Sequence, residues 1–201
     1  MWTGTTHTMK ITVNINRMTT AESAVHYAVF FTMFAASCYY AVSAAPWFAL
    51  IPAIAAIAHW NMIRDKKNIE KYRYADWLLT TPLMLLAVLN QNNVTTEFIQ
   101  ITLILDTMMI AAGYFGINET DKNKKVAWFT LGCLLFLPIL YILINLPIEK
   151  QAATFLAACW TLYPAIWLLK SNYILQDDAT NIAYSVLDVV TKIGLLSQIH
   201  I

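Results

Sequence analysis

Seven long apolar stretches, parted by short polar breaks, dictate what this chain can become. They run from about Ala24 to Ala45, Trp47 to Ile63, Arg73 to Leu89, Phe98 to Phe115, Val126 to Leu146, Ala152 to Leu169 and Ile182 to Ile199. Each is roughly 17–22 residues long, the length at which a helix rising about 1.5 Å per residue crosses a hydrocarbon layer of about 30 Å. The breaks read SAAP, RDKKNIEK, QNNVTTE, GINETDKNKK, LPIEKQ and SNYILQDDATN. Connections this short make consecutive spans antiparallel neighbours. The expected fold is an all-α membrane protein, a seven-helix up-and-down bundle forming one domain over residues 21–201, behind a polar segment over residues 1–20.

Composition agrees with that reading. Of 201 residues, 59% are hydrophobic and only 12% charged, roughly half the charged share of a soluble domain. The partner is therefore the lipid bilayer, and the expected location is integral and multi-pass, in a plasma membrane or other host cell membrane. A formal net charge of +1 argues against a nucleic-acid partner. Cys38, Cys133 and Cys159 all lie in apolar runs, with neither a disulfide framework nor the paired spacing of a zinc site, so no metal is expected. The start MWTGTTHTMKITVNINRMTT lacks the apolar core of a cleavable leader. Insertion then falls to the first span itself.

A charge inside a span is costly unless it is paired or faces an internal cavity, so each such group is a functional candidate. Arg73 and Asp76 in the third span and Asp188 and Lys192 in the seventh are the main ones, joined by Asp106 in the fourth and His59 near the end of the second. The spacings of three and four put each pair on one helical face. Either pair alone also fits a structural ion pair between helices. Lys192 is harder to explain that way, because an ammonium at mid-span tends to lose its charge or to become a Schiff-base amine. Thr80, one turn beyond Asp76, is positioned to donate to its carboxylate. Pro82 removes a backbone donor and should kink the third helix, freeing carbonyls upstream. The threonines also fit ordinary helix–helix contacts, and Trp77, Trp160, Tyr163 and Trp167 taken singly fit packing.

Three motifs in order on the right spans resemble those of microbial (type 1) rhodopsins, the retinal proteins related to bacteriorhodopsin: RYADWLLTTPLMLL at residues 73–86, CWTLYPAIW at 159–167 and LDVVTKIG at 187–194. IPAIAAIAH and LDTMMIAAG add weaker matches, and the likeness covers nearly all of the chain after the first twenty residues. The resemblance implies all-trans retinal in the core of the bundle, joined to Lys192 as a protonated Schiff base. It implies Asp76 as primary counterion and proton acceptor, Asp188 as second counterion and Arg73 below both. Trp77, Thr81, Met109, Gly113, Trp160, Tyr163, Pro164 and Trp167 would line the polyene, Trp128 would face its ring, and Thr81 would bond Asp106. Met84 near the ring implies green absorption. A cationic imine disfavours neutralising its counterion, so Asp76 is expected to be ionised in the dark.

Four departures from the family pattern matter. Ala87 stands three turns beyond Asp76, where outward pumps carry a carboxylic proton donor, so reprotonation is expected to be slow. His59 replaces a tyrosine that bonds the second counterion, which brings an imidazole beside Asp188 and predicts a dark colour change near neutral pH; an interfacial histidine without that role is the alternative. Thr191 precedes the lysine, as in some sensory members, and is within reach of Tyr163. The loops after the second and fifth spans are short.

Orientation is contested within the sequence itself. The family pattern puts the N-terminus outside, on the side that here holds Lys10, Arg17, Arg64, Lys66, Lys67, Lys71, Lys122, Lys124, Lys125 and Lys170, against Lys150 on the other. Lysine and arginine in short loops normally stay cytoplasmic. The leading expectation is a light-driven proton pump, outward if the family orientation holds, and not an enzyme. The alternatives are a light-gated ion channel and a sensory photoreceptor. By the same resemblance, copies assemble as trimers or pentamers.

Overall fold

The computed structural model describes residues 18–43, 45–92, 94–147 and 150–199. Lys10, Arg17 and the polar segment up to residue 17 lie outside the described residues. Seven helices follow one another: α1 (Thr20–Ala41), α2 (Leu50–Arg64), α3 (Ile69–Gln91), α4 (Thr96–Asn118), α5 (Lys122–Ile144), α6 (Lys150–Ser171) and α7 (Asp177–Gln198). Each packs against its neighbours in the chain, and α1 closes the ring onto α7. The seven-helix bundle is the one expected.

The boundaries have local causes. α1 begins at Thr20 rather than Ala24 because Thr19 caps it, its side chain accepting from the Glu22 backbone N–H at 3.2 Å. It ends at Ala41, short of the expected Ala45, where Ser43 Oγ donates to Tyr40 O at 2.7 Å. Pro46 then opens a 3-10 turn, Pro46–Ala49, that runs straight into α2. Asp121 caps α5 in the same way as Thr19 caps α1, accepting from Lys124 N at 2.9 Å. α3 is continuous across Pro82. The hydroxyls of Thr80 and Thr81 sit on the carbonyls of Asp76 and Trp77, at 2.9 and 2.8 Å.

Among the described residues, six helices are long and apolar enough to cross a membrane on length and composition alone, α2 counting with its leading turn. α3 is the exception, since Glu70, Lys71, Arg73 and Asp76 all fall within it. Two of its charges are hidden by the ring: Arg73 and Asp76 are each 1% exposed. Outward faces are oily instead, with Phe31, Ile57, Leu134, Leu137 and Tyr141 exposed. This inversion of the water-soluble pattern is what an integral, multi-pass membrane protein requires.

The C-terminal half of α3 lies in a wholly apolar layer. Met84, Leu85, Ala87, Val88 and Leu89 pack with Ile51, Ile139, Leu143, Leu156, Leu195 and Leu196. Between helices already in lipid, such a layer is held by close van der Waals contact rather than by exclusion of water.

Candidate functional site

α3 and α7 face each other across the centre of the bundle, and each brings its ionisable pair to the same spot. Lys192 Nζ lies 2.6 Å from Asp76 Oδ2 and 3.3 Å from Asp188 Oδ1. All three side chains are buried. One cation thus faces two carboxylates, the arrangement expected from the sequence.

The two carboxylates are not equivalent. Asp188 Oδ1 accepts from Trp77 Nε1 at 3.0 Å and from Tyr163 OH at 2.9 Å, and its Oδ2 lies 3.7 Å from His59 Nε2. Asp76 has Lys192 on Oδ2, while its buried Oδ1 has no hydrogen-bond partner among the described residues. A proton added to Asp188 meets donors already aimed at it; a proton added at Asp76 Oδ1 meets no donor among the described residues.

Thr80 differs from expectation. Its hydroxyl donates to the backbone carbonyl of Asp76, not to the carboxylate. In the third helix a threonine four residues on can always reach that carbonyl, and the Lys192 ammonium already occupies the near face of the carboxylate. Thr81 does reach Asp106: its Oγ1 is 2.7 Å from Asp106 Oδ2 and 2.8 Å from Trp77 O, tying α3 to α4. Tyr163 OH lies 3.4 Å from Thr191 Oγ1, within the reach foreseen for that pair.

Arg73 turns away from the two carboxylates. It donates to Glu70 Oε2 and to Asn181 Oδ1, both at 2.7 Å, and its guanidinium sits 4.8 Å from the centre of the Tyr184 ring. Asn181 in turn donates to Glu22 Oε1 at 2.7 Å, and Glu70 also pairs with Lys170 at 2.5 Å. A polar belt therefore crosses α1, α7, α3 and α6 at one end of the bundle. Glu22 and Glu70 were not foreseen, because both lie outside the apolar stretches where buried charge was sought.

A cavity extends from Lys192, Asp188 and Thr191 between aromatic walls. Trp77, Thr81, Met84, Met109, Gly113, Trp128, Trp160, Tyr163, Pro164 and Trp167 line it, as the sequence led us to expect. Asp106 stands behind Thr81 instead of in the wall. Tyr74, Ile110, Phe129, Gly132, Cys133, Phe136 and Tyr184 also line it and had not been foreseen. Gly113 leaves room for one of them: a Cβ there would stand 3.0 Å from Tyr74 Cε1. Trp167 stacks on Phe129, with ring centres 4.5 Å apart. The walls fit a long conjugated chain, and a buried primary amine flanked by carboxylates fits its attachment through an aldehyde carbon. Retinal has that chemistry.

His59 is buried and has a neighbour that sequence reading passed over. His26 on α1 places Nδ1 2.9 Å from His59 Nδ1, and His26 and His59 are 0% and 1% exposed. The rule that flags ionisable groups within spans applies to His26 as much as to His59, so the signal was there.

Comparison with known proteins gives one consistent answer. The family described as bacteriorhodopsin-like protein matches residues 5–196. A bacteriorhodopsin-II-like protein of Haloquadratum walsbyi is 29% identical over 174 residues, covering 72% of this chain and 71% of its own. Sensory rhodopsin-2 of Haloarcula vallismortis is 28% identical over 167 residues, covering 72% and 70%. Among solved structures, a proton-pumping rhodopsin from the marine alga Acetabularia acetabulum superposes with a TM-score of 0.84 at 25% identity, covering 91% of this chain and 94% of that one.

Proposed function

The chain belongs to the bacteriorhodopsin-like protein family, and on that premise we propose that it is a light-driven proton pump with all-trans retinal joined to Lys192. Relatives in this family include pumps and photosensors; the family is not one of enzymes. One observation carries the choice of a pump: Asp76 Oδ2 lies 2.6 Å from Lys192 Nζ, and Asp76 Oδ1 has no hydrogen-bond partner among the described residues.

When bound, retinal supplies a light-driven isomerisation that redirects the proton held at the Lys192 nitrogen. The other steps belong to the chain. Asp76 accepts that proton. Asp188, held by Trp77 and Tyr163, keeps its charge and remains the counterion. Thr80 steadies the backbone at Asp76, and Thr81 with Asp106 fixes α3 against α4 beside the cavity. Arg73, drawn towards Glu70 and Asn181, marks the route by which a proton leaves. On the other side of Lys192, the apolar packing around Ala87 offers no donor, so the amine recovers its proton slowly from water.

Transport runs outward if the N-terminus faces outside. A tag at residue 1 tested for protease access in intact cells decides that. The reading also carries trimeric or pentameric assembly, which native mass spectrometry in lipid measures.

The Tyr163–Thr191 contact favours a sensory role as the second reading, and the Thr81–Asp106 bond favours a channel. Photocurrent separates the three. A pump drives current at zero voltage, a channel gives current that reverses with the ion gradient, and a sensor gives none. Either of the last two results defeats the pump.

A further inference from the structure

Two histidines in contact inside a membrane protein need a proton count. An N–H···N bond between His26 Nδ1 and His59 Nδ1, 2.9 Å apart, needs one donor and one acceptor. If His59 donates, its Nε2 is a bare lone pair facing Asp188 Oδ2 at 3.7 Å, which is repulsive. The favoured neutral arrangement therefore has His26 Nδ1–H donating to His59 Nδ1, with His59 Nε2–H turned to Asp188. Ser185 Oγ lies 3.5 Å from His26 Nδ1, and neither His59 Nε2, at ion-pair distance from Asp188, nor His26 Nε2 has a hydrogen-bond partner among the described residues; in this arrangement the bare buried lone pair is that of His26 Nε2. The pair has room for one more proton there. Ring centres 5.1 Å apart oppose a second.

The surroundings decide when that proton is wanted. Glu22 lies four residues before His26, on the same face of α1. Arg73 and Asp76 on α3 and Asp188 on α7 lie within electrostatic reach of the pair, with Lys192 3.3 Å from Asp188. Beyond Glu22, Lys66 lies 3.3 Å from Glu22 Oε2 and 3.6 Å from Asp178, at the surface. Before proton transfer, Asp188 has the Lys192 cation 3.3 Å away. After transfer, Lys192 and Asp76 are both neutral, and Asp188 keeps its negative charge without a cation.

We propose that His26 and His59 together bind one exchangeable proton, taken from the α1 N-terminal surface past Glu22, which replaces Lys192 as cationic partner of Asp188 once Asp76 has accepted the Lys192 proton. The triggering step rests on the pump reading above; the proton site does not. The balance is simple. One N–H bond forms at His26 Nε2 with a proton from surface water, and the same bond breaks, returning the proton to water, when Lys192 regains its charge.

The retinal-free protein tests the site without light. Lys192→Ala removes the cation permanently. NMR of the histidine ring nitrogens follows protonation, with the signals of His26 and His59 identified by their loss in His26→Gln and His59→Gln. We expect the pair to take up one shared proton, with its midpoint raised by about one pH unit or more in Lys192→Ala, a tenfold gain in proton affinity. An unchanged midpoint, or two histidines titrating independently, overturns the proposal. Asp188→Asn is the second variant, needed if Lys192→Ala does not fold: it must lower the midpoint, and no change overturns the site equally.

In the pigment, a pH-indicating dye should record uptake of one proton in step with the infrared band of protonated Asp76. His26→Gln should abolish the uptake while the Asp76 band persists. Uptake that survives the substitution refutes the role of the pair. If the Asp76 band never forms, the pump reading fails and the trigger falls with it, whereas the NMR titration still decides the site.

Discussion

The two ends of α3 could belong to different proteins. Its N-terminal half presents Arg73, Asp76, Trp77 and Thr81 to hydrogen-bond partners on α7 and α4. Two turns further on, Ala87 and its neighbours pack into an apolar cluster. Lys192 sits at the junction. A proton on its nitrogen therefore has a carboxylate 2.6 Å away on one side and an apolar cluster on the other. On the proposed pump reading, the contrast teaches that direction need not come from two matched half-channels: a conductive half beside Asp76 and a slow half around Ala87 would already make transfer unequal.

Breaking the junction has the largest expected effect. Lys192→Ala should form no pigment with retinal, a complete loss of visible absorbance read in a single spectrum; full colour in the variant removes the basis of the comparison. Next is the conductive half. Asp76→Asn keeps the shape but removes the acceptor, and light-driven pH change in vesicles should fall about a hundredfold or more, the scale on which a positioned proton acceptor acts.

The slow half is sharpened by adding what it lacks. Ala87→Asp should speed recovery after a flash by about tenfold or more and weaken its dependence on bulk pH; recovery as slow as in the parent protein means that the apolar layer is not the bottleneck. Smaller still is the α3–α4 tie. Thr81→Val leaves Asp106 buried without its partner and should cost about 1–3 kcal/mol in a denaturation series. Thr80→Val comes last. Because its hydroxyl serves a backbone carbonyl that already belongs to the helix, the colour of the pigment should stay nearly fixed, whereas a large shift restores the carboxylate bond that the sequence had suggested.

Seven spans and the Lys192, Asp76 and Asp188 cluster were legible because both depend on quantities a sequence carries directly: length, and charge where charge is costly. The cavity walls were legible through motif resemblance. What escaped depends on how side chains turn. Thr80 can reach either a carboxylate or a carbonyl from the same position, and spacing does not separate them. Arg73 has an acid three residues away in both directions, Glu70 and Asp76, and only the fold shows that it pairs with Glu70. His26 needed a partner 33 residues on to acquire meaning. Gly113 was read as a wall of the cavity, and it also makes space for Tyr74, a ring that no local pattern announced.

That α3 alone falls short of a self-sufficient membrane span bears on biosynthesis. Of the charges that disqualify it, Asp76 finds its cation on α7, synthesised about a hundred residues later, and Glu70 finds one on α6. The third helix must therefore either wait beside the insertion machinery or cross poorly until the last one arrives. Glycosylation mapping of nascent chains should find it incompletely inserted when release comes before α7, and fully inserted once Lys192 has emerged.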